Sequence, residues 1–288
     1  MQSKLSEPYA PRSHSIPQRR SIQASLWSKR QTFKHIVNAL SEQTHRRSKV
    51  GRPSSLSDEA QVLVTLEYWR EYRTYFHIST DWGVSEATIC RTVHRVEDVL
   101  IKSGKFSLPG KKRLFKGFGR PEVVVMDVTE MPIERPKRKQ KQFYSGKQKQ
   151  HTLKCQVILD LISGEIICTF FGKGRRHDFA LFKASGIHFH PETISLQDSG
   201  YQGIARYHAN SFIPRKKPKD GKLSALEKDY NRELSRERVG IEHINRRLKI
   251  FKILQQRYRN RRRRFGLRCN LIAALYNFEL MNPVAEVA

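Results

Sequence analysis

The sequence predicts an α/β protein in which a mixed five-stranded sheet flanked by helices follows an N-terminal all-α region. Three observations carry this prediction. Residues 123–126 form a short, mostly β-branched apolar run, which is typical of a central strand buried on both faces. Two further strand-like segments, 151–160 and 165–173, flank Ser163-Gly164, a hairpin turn signal. Helical spacing governs residues 56–103 before the strands and residues 223–251 after them.

The charge of the chain indicates the class of its partner. Its 288 residues hold 55 Lys and Arg against 27 Asp and Glu, a formal net charge of +28. This excess predicts a polyanionic partner, nucleic acid in the first place, with an acidic membrane surface as the alternative. No apolar run reaches the roughly 18 residues of a membrane span, and no secretory signal is evident. Four widely separated cysteines fit reduced thiols in a cytosol and argue against a zinc site.

The first 55 residues are rich in Ser, Arg and Pro and predict a basic, partly disordered arm. Only residues 26–40 have weak helical spacing, which leaves room for one helix. Gly51-Arg52-Pro53 near the end of the arm has two open interpretations, a plain linker or a segment that lies in a DNA minor groove.

Residues 56–108 predict a helix-turn-helix domain. Ser57 is placed to cap a first helix, a second helix covers residues 74–81, and Ser85 is placed to cap a third helix after a turn at Gly83. Two aromatic-containing helices, a tight glycine turn and a capped basic helix are the layout of that DNA-binding motif. An ordinary three-helix bundle remains the alternative.

Two basic surfaces are predicted to contact DNA. On the third helix, Thr88, Arg91 and Arg95 lie on or near the face opposite the apolar stripe, where recognition helices reach base edges. Between the first two strands, residues 135–150 hold seven basic residues, among them Lys147, interleaved with aromatic ones. We expect this loop to bind the DNA backbone, although a solvated charged face is the alternative.

Three carboxylates follow the predicted core elements. Asp127 is predicted to end the first strand, Asp198 to end the fourth, and Glu242 to lie on the long helix. Three antiparallel strands, a helix, a fourth strand and then helices is the order of the ribonuclease H-like nuclease fold, which we predict for residues 120–281. For each acid a simpler role stays open: Asp127 as a turn residue, Asp198 as a helix cap, and Glu242 as a salt-bridge partner, with Glu233 or Glu237 as the third acid instead.

Three such acids suit a metal-dependent phosphoryl transfer. Cleavage of a phosphodiester and strand transfer both need an activated oxygen nucleophile and a stabilised leaving oxygen. Two divalent ions about 3.5–4 Å apart supply both effects. Mg²⁺ prefers carboxylate oxygens and water, so two Asp and one Glu fit two Mg²⁺ ions, for which Mn²⁺ can substitute.

Several motifs, in order, resemble those of one family. They are MDVTEMPIERP, FYSGKQKQHTLK, DSGYQG and RERVGIEHINRRLK. Over residues from about 51 to 280 the chain resembles DDE-type transposases of bacterial insertion sequences, in the insertion-sequence-five group related to the Harbinger transposases. That family has Tyr, Arg, Glu and Lys at fixed spacing on a late helix. Arg238, Glu242 and Lys249 match this signature, whereas Ser235 stands at the Tyr position.

The resemblance implies a DNA transposase that binds element ends and then cuts and transfers strands. It implies Asp127, Asp198 and Glu242 as catalytic metal ligands, with Arg238 and Lys249 near DNA phosphates. The partners implied are terminal inverted repeats, target DNA and further copies of the chain, in a cytoplasmic, nucleoid-associated setting with no membrane. Two rival functions stay open: a DNA-binding regulator whose nuclease domain is inactive, and a domesticated nuclease or RNA-processing enzyme of the same fold.

Overall fold

The computed structural model describes residues 30–45, 54–115, 119–219 and 221–282. Most of the predicted basic arm, including Gly51-Arg52-Pro53, lies outside these residues. Within the arm, α1 (Arg30–His45) is a helix that buries Ile36 and Leu40. These side chains are four residues apart, as expected for one face of a helix.

The three helices predicted for residues 56–103 are present as α2 (Asp58–Glu71), α3 (Tyr75–Trp82) and α4 (Glu86–Lys102). The Ser57 side chain accepts from the Ala60 amide, and the Ser85 side chain accepts from the Thr88 amide. Each cap satisfies an amide that would otherwise lack a helical partner. Gly83 adopts the left-handed conformation, φ 62°, that lets the chain turn sharply into α4.

The sheet is mixed and has five main strands, which confirms the predicted ribonuclease H-like architecture. Its spatial order is β4-β3-β1-β5-β6, and the two-residue β2 pairs with the start of β3. The β1–β3 and β3–β4 pairs are antiparallel, whereas the β1–β5 and β5–β6 pairs are parallel. The strands are β1 (Val123–Pro132), β2 (Tyr144–Ser145), β3 (Gln150–Asp160), β4 (Ile166–Lys173), β5 (Ile194–Leu196) and β6 (Ser211–Phe212).

The first strand is longer than predicted. We expected it to end at Asp127, but it continues to Pro132 because β3 pairs with it along this whole length, with Asp127 opposite Val157. On its other edge, β1 pairs with β5 only through residues 123–125. From Asp127 to Pro132 none of the described strands lies beside that edge of β1, so the sheet is open next to this carboxylate.

Helices cover both faces of the sheet. One face packs against α5 (Asp178–Ser185), and buried Val124 and Met126 point to this side. The other face, with Val125 and Met131, belongs to a larger apolar core that also includes α6 (Ala225–Lys249), α7 (Lys252–Gln255) and α8 (Phe265–Met281). None of the helices among the described residues has the length and apolar character to cross a membrane.

The helix-turn-helix region and the sheet share this larger core. Buried side chains of α2 and α4 belong to the same apolar cluster as Val125 of β1. At the centre of the junction, the fully buried Glu97 accepts from Trp69 Nε1 at 3.0 Å, from Arg268 Nε at 2.6 Å and from Arg264 Nε at 2.5 Å. Since Glu97 is on α4 and both arginines adjoin or lie on α8, this network ties the helix-turn-helix region to the helices that pack on the sheet.

Candidate active site

A cleft of about 560 Å³ opens where β1 extends beyond the end of β5. Parallel strands of an open sheet commonly bind ligands at this place, outside their carboxyl ends. The open edge of β1, the loop after β5, the basic loop before β3 and the last turns of α6 surround it. Its acidic lining residues are Asp127, Glu130, Asp178, Asp198 and Glu242.

Asp127 lies on the sheet face that packs against α6. Side chains alternate along a strand, so Asp127 points to the same side as Val125 and Met131. Its Oδ2 accepts a hydrogen bond of 2.9 Å from Asn245 Nδ2 on α6. Burial raises the pKa of the Asp127 carboxyl above its ordinary value, and the nearby Arg238 opposes that rise. The carboxylate is therefore held in a place where a cation would relieve the cost of its charge.

Asp198 is close to the cleft because of the turn that follows β5. It lies two residues beyond β5, and its Oδ1 accepts a 2.9 Å hydrogen bond from the Gly200 amide. A Cβ at Gly200 would lie 2.9 Å from Asp198 Oδ1 and 3.4 Å from Asp178 Oδ2. Glycine at this position therefore allows the two carboxylates to approach the same small volume. The capping role that remained open for Asp198 is real, and it coexists with its place in the cleft.

Glu242 is on the exposed side of α6, whose other side buries Ile241 and Ile244. It lines the cleft and forms no salt bridge within the described parts of the chain. Glu233 and Glu237, the other candidates for the third acid, are exposed on α6 and do not line the cleft.

Among the lining residues that the sequence did not predict, two are held by specific hydrogen bonds to functional groups of the site. Asp178 begins α5, and its Oδ1 accepts a 2.7 Å hydrogen bond from Lys154 Nζ. Asn245 orients Asp127, and its buried Oδ1 has no hydrogen-bond partner within the described ranges. Both had a signal: Asp178 opens the helix after the third strand, and Asn245 lies three residues after Glu242, on the same helix face.

A buried tyrosine lies next to the acidic residues. Tyr201 is fully buried and packs against Phe182, and its hydroxyl has no hydrogen-bond partner among the residues that the structure describes. Burial raises the pKa of Tyr201 well above its ordinary value, and the carboxylates of Asp178, Asp127 and Asp198 add to the rise. All three carboxylates are therefore near enough to one buried hydroxyl to disfavour its ionisation.

The donor set fits hard divalent cations, because carboxylate oxygens are the ligands that Mg²⁺ and Mn²⁺ prefer. Within residues 30–45, 54–115, 119–219 and 221–282, however, no three His, Cys, Asp or Glu side chains are gathered into a ready metal-binding cluster. The hydrogen bonds explain this spacing: Asp127 is held by Asn245, Asp198 by the Gly200 amide and Asp178 by Lys154. The residues therefore share a cleft but not a closed ligand shell.

The residues predicted to contact DNA fall into two groups. Lys147 and Lys249 line the cleft itself. Arg238 does not line it, but is half-buried and close enough to Asp127 to oppose the rise that burial causes in that residue's pKa. The residues predicted to read bases, Thr88, Arg91 and Arg95, line a separate cavity of about 590 Å³. Ser54, Ser55 and Gln61 line the same cavity. Arg95 also donates to Thr44 of α1 at 2.7 Å.

Comparison with known proteins identifies the family of the chain. Residues 126–277 match the family described as DDE superfamily endonuclease, and residues 54–106 match the helix-turn-helix of DDE superfamily endonuclease. The chain is 55% identical over 251 residues to a probable transposase for insertion sequence element IS702 of Microchaete diplosiphon, covering 87% of this chain and 91% of that one. It is 24% identical over 228 residues to a putative transposase for insertion sequence element IS112 of Streptomyces albus G, covering 77% of this chain and 81% of that one.

The family match spans the strands and helices that surround the cleft, and the second match spans the capped helices α2 to α4. The chain therefore belongs to the DDE superfamily of endonucleases and carries the helix-turn-helix region of that family.

Proposed function

We propose that the protein is a DNA transposase of the insertion-sequence-five, Harbinger-related group, which binds element ends and catalyses metal-dependent DNA cleavage and strand transfer. One observation carries the proposal: Asp127, Asp198 and Glu242, from three separate elements, line one cleft together with Lys147 and Lys249. Two similar proteins are named as transposases for insertion sequence elements. An acidic cleft with a basic border is the combination that a metal-dependent nuclease for a polyanion needs.

Asp127, Asp198 and Glu242 would hold two Mg²⁺ ions, for which Mn²⁺ can substitute; endonucleases of this superfamily generally use divalent metal ions. Bound there, the cations would activate the attacking oxygen and stabilise the leaving oxygen. Asn245 keeps Asp127 in one orientation, and the Gly200 amide does so for Asp198. Fixed ligands lower the cost of ordering the site when a cation and DNA arrive.

DNA contacts in this proposal extend over the two surfaces. Thr88, Arg91 and Arg95 on α4 read the terminal inverted repeats, while Lys147, Arg238 and Lys249 neutralise phosphates near the cut. The proposed division of the chain is a basic arm at 1–55, an end-binding domain at 56–108 and a catalytic domain at 120–281. We further propose that two or more copies assemble on DNA, that target DNA is the second partner, and that the protein acts at the bacterial nucleoid.

The test is a nicking assay on a duplex that contains the DNA flanking the gene. Wild type should nick it with Mg²⁺ or Mn²⁺ and not in EDTA. Asp127→Ala, Asp198→Ala and Glu242→Ala should each abolish nicking. The matched control is Asp229→Ala on the exposed side of α6, whose carboxylate pairs with Arg232 and does not line the cleft.

Other outcomes identify the rival functions. Binding of the duplex without nicking by wild type at any metal concentration would favour the DNA-binding regulator. Metal-dependent cleavage of RNA in preference to duplex DNA, at matched salt, would favour the domesticated nuclease or RNA-processing enzyme. Equal nicking by wild type and Asp127→Ala would contradict the proposed metal site.

A further inference from the structure

The connection between α7 and α8 has a high positive charge, most of which no acidic residue in the described part of the chain pairs with. Residues 257–264, here named the arginine turn, have the sequence RYRNRRRR with six arginines in eight positions. Arg264 pairs with Glu97 and Asp98. Arg257, Arg261 and Arg263 are exposed and form no salt bridge with any described acidic residue. Like charges at this density repel one another unless a polyanion is present.

The backbone of the arginine turn is fixed despite this repulsion. Tyr258 is buried, its amide donates to the Pro132 carbonyl at 2.9 Å, and its hydroxyl donates to the Arg263 carbonyl at 2.6 Å. Arg261, Arg262 and Arg264 have left-handed φ angles of 45°, 68° and 58°. Each such non-glycine residue costs on the order of 1 kcal/mol and persists only where its surroundings enforce it. The turn therefore presents its guanidinium groups from a rigid frame.

One side of the arginine turn is attached to the helix-turn-helix region. The Arg259 amide donates to the Tyr72 hydroxyl at 2.6 Å, and its guanidinium lies 4.1 Å from the centre of the Tyr72 ring. Asn260 Nδ2 donates to the Tyr68 hydroxyl, also at 2.6 Å. Both tyrosines belong to or directly follow α2, so the position of the turn relative to the DNA-binding helices is set by direct contacts.

The other side of the arginine turn adjoins the cleft. Pro132, which accepts the hydrogen bond from Tyr258, lines the cleft, as does Gln255 two residues before the turn. Arg262 lies with its guanidinium 4.5 Å from the centre of the Phe143 ring, in the basic loop that also brings Lys147 to the cleft. The exposed arginines thus occupy the surface between the DNA-binding helices and the acidic residues.

We propose that the arginine turn binds the phosphate backbone of the duplex DNA segment that runs from the sequence read by α4 to the phosphate in the cleft. The inference rests on the proposed function and assigns a partner to a surface outside both sites. Guanidinium groups bind phosphates at two points and are indifferent to base sequence. Contacts of this kind fix register rather than specificity. The turn then sets how far from the recognised sequence the DNA enters the cleft.

The experiment measures how DNA affinity depends on salt concentration, in EDTA. It compares wild type with the triple variant Arg257→Gln/Arg261→Gln/Arg263→Gln. The probes are two duplexes from the DNA flanking the gene: one holds only the segment protected by the helix-turn-helix region, and one continues past the cleavage position. Each phosphate contact contributes about 0.9 to the slope of log K against log salt. The triple variant should flatten this slope by about 2 to 3 on the long duplex and leave the short duplex unchanged.

The control replaces three exposed basic residues on the opposite side of the sheet, Lys112, Lys183 and Arg206, with Gln. It should change the slope equally on both duplexes or not at all.

A matching set, Arg257→Lys/Arg261→Lys/Arg263→Lys, keeps the charge and should restore most of the slope, and melting curves of all variants report folding. An unchanged slope on the long duplex, or an equal loss on both duplexes, overturns the proposal. Because binding is measured in EDTA, the two proposals fail separately: wild type that shows this salt dependence but does not nick in the separate assay with Mg²⁺ or Mn²⁺ would reject the nuclease function and leave this inference standing.

Discussion

Asn245 Nδ2 donates a 2.9 Å hydrogen bond to Asp127 Oδ2 and thereby joins α6 to the open edge of β1. The bond orients one carboxylate of the cleft from the same helix that supplies Glu242. The amide oxygen of Asn245, Oδ1, is buried and has no hydrogen-bond partner in the described residues. The Nδ2 atom of Asn245 therefore binds Asp127, and its Oδ1 atom is available to bind a ligand in the cleft.

Replacing Asn245 tests whether this orientation matters for the chemistry. Partners of metal-binding carboxylates typically contribute 10- to 100-fold to metal affinity or activity. We expect Asn245→Ala to lower metal-dependent nicking by about that factor and to raise the Mn²⁺ concentration needed for half-maximal nicking, with little change in DNA affinity. His243→Ala, exposed on the same helix, is the control. A loss of DNA affinity with an unchanged Mn²⁺ requirement would show that Asn245 does not act through Asp127.

The raised pKa of Asp127 predicts how the metal-free protein responds to pH. Because burial raises the pKa above the unfolded value of about 3.9, the folded state binds a proton more tightly than the unfolded state. The buried charge therefore lowers the free energy of unfolding as pH rises through the window between those two values. In EDTA, Asp127→Asn should melt at a higher temperature than wild type at neutral pH. The difference should shrink as pH falls through that window and be gone below about pH 4, and a gain that stays constant with pH would contradict this account.

The network around Glu97 predicts that stability depends on the junction between α4 and α8. Arg268 is fully buried, so removing the charge of Glu97 leaves a buried cation without its partner, at a cost of about 3–5 kcal/mol. Glu97→Gln should lower the melting temperature strongly and weaken DNA binding as α4 loosens. Glu42→Gln, which breaks an exposed pair with Lys105, should cost less than about 1 kcal/mol. Similar melting temperatures for the two variants would show that the network adds no stability.

The architecture could be predicted because its signals are local. Helix caps at Ser57 and Ser85 and the Ser163-Gly164 turn depend on a few neighbouring residues, and all lie where expected. The end of β1 could not be predicted. A charged Asp127 after an apolar run predicts the end of a strand. The strand continues instead, because the long β3 pairs with it as far as Pro132.

The cleft was predictable only in part, for a similar reason. Asp127 lies on β1 and Asp198 follows its parallel neighbour β5, so the sheet order brings these two acids together, and Glu242 lies on the long helix that the sequence also predicts. Asp178 and Asn245 enter the cleft through tertiary contacts with Lys154 and Asp127, and no spacing in the sequence encodes these partners. The arginine turn was visible as composition, but its position between two sites depends on hydrogen bonds to Tyr68, Tyr72 and Pro132.

The central claim, that three distant carboxylates hold the same metal ions, is tested most directly by iron-mediated protein cleavage. Fe²⁺ replaces Mg²⁺ in oxygen-ligand sites, and with ascorbate and peroxide it generates radicals that cut the nearest backbone. Mass spectrometry of the fragments should show cuts near residues 127, 198 and 242 together. All three should be suppressed by excess Mg²⁺ and lost in Asp127→Ala. Cuts near only one of these residues, or an unchanged pattern in Asp127→Ala, would contradict a shared metal site.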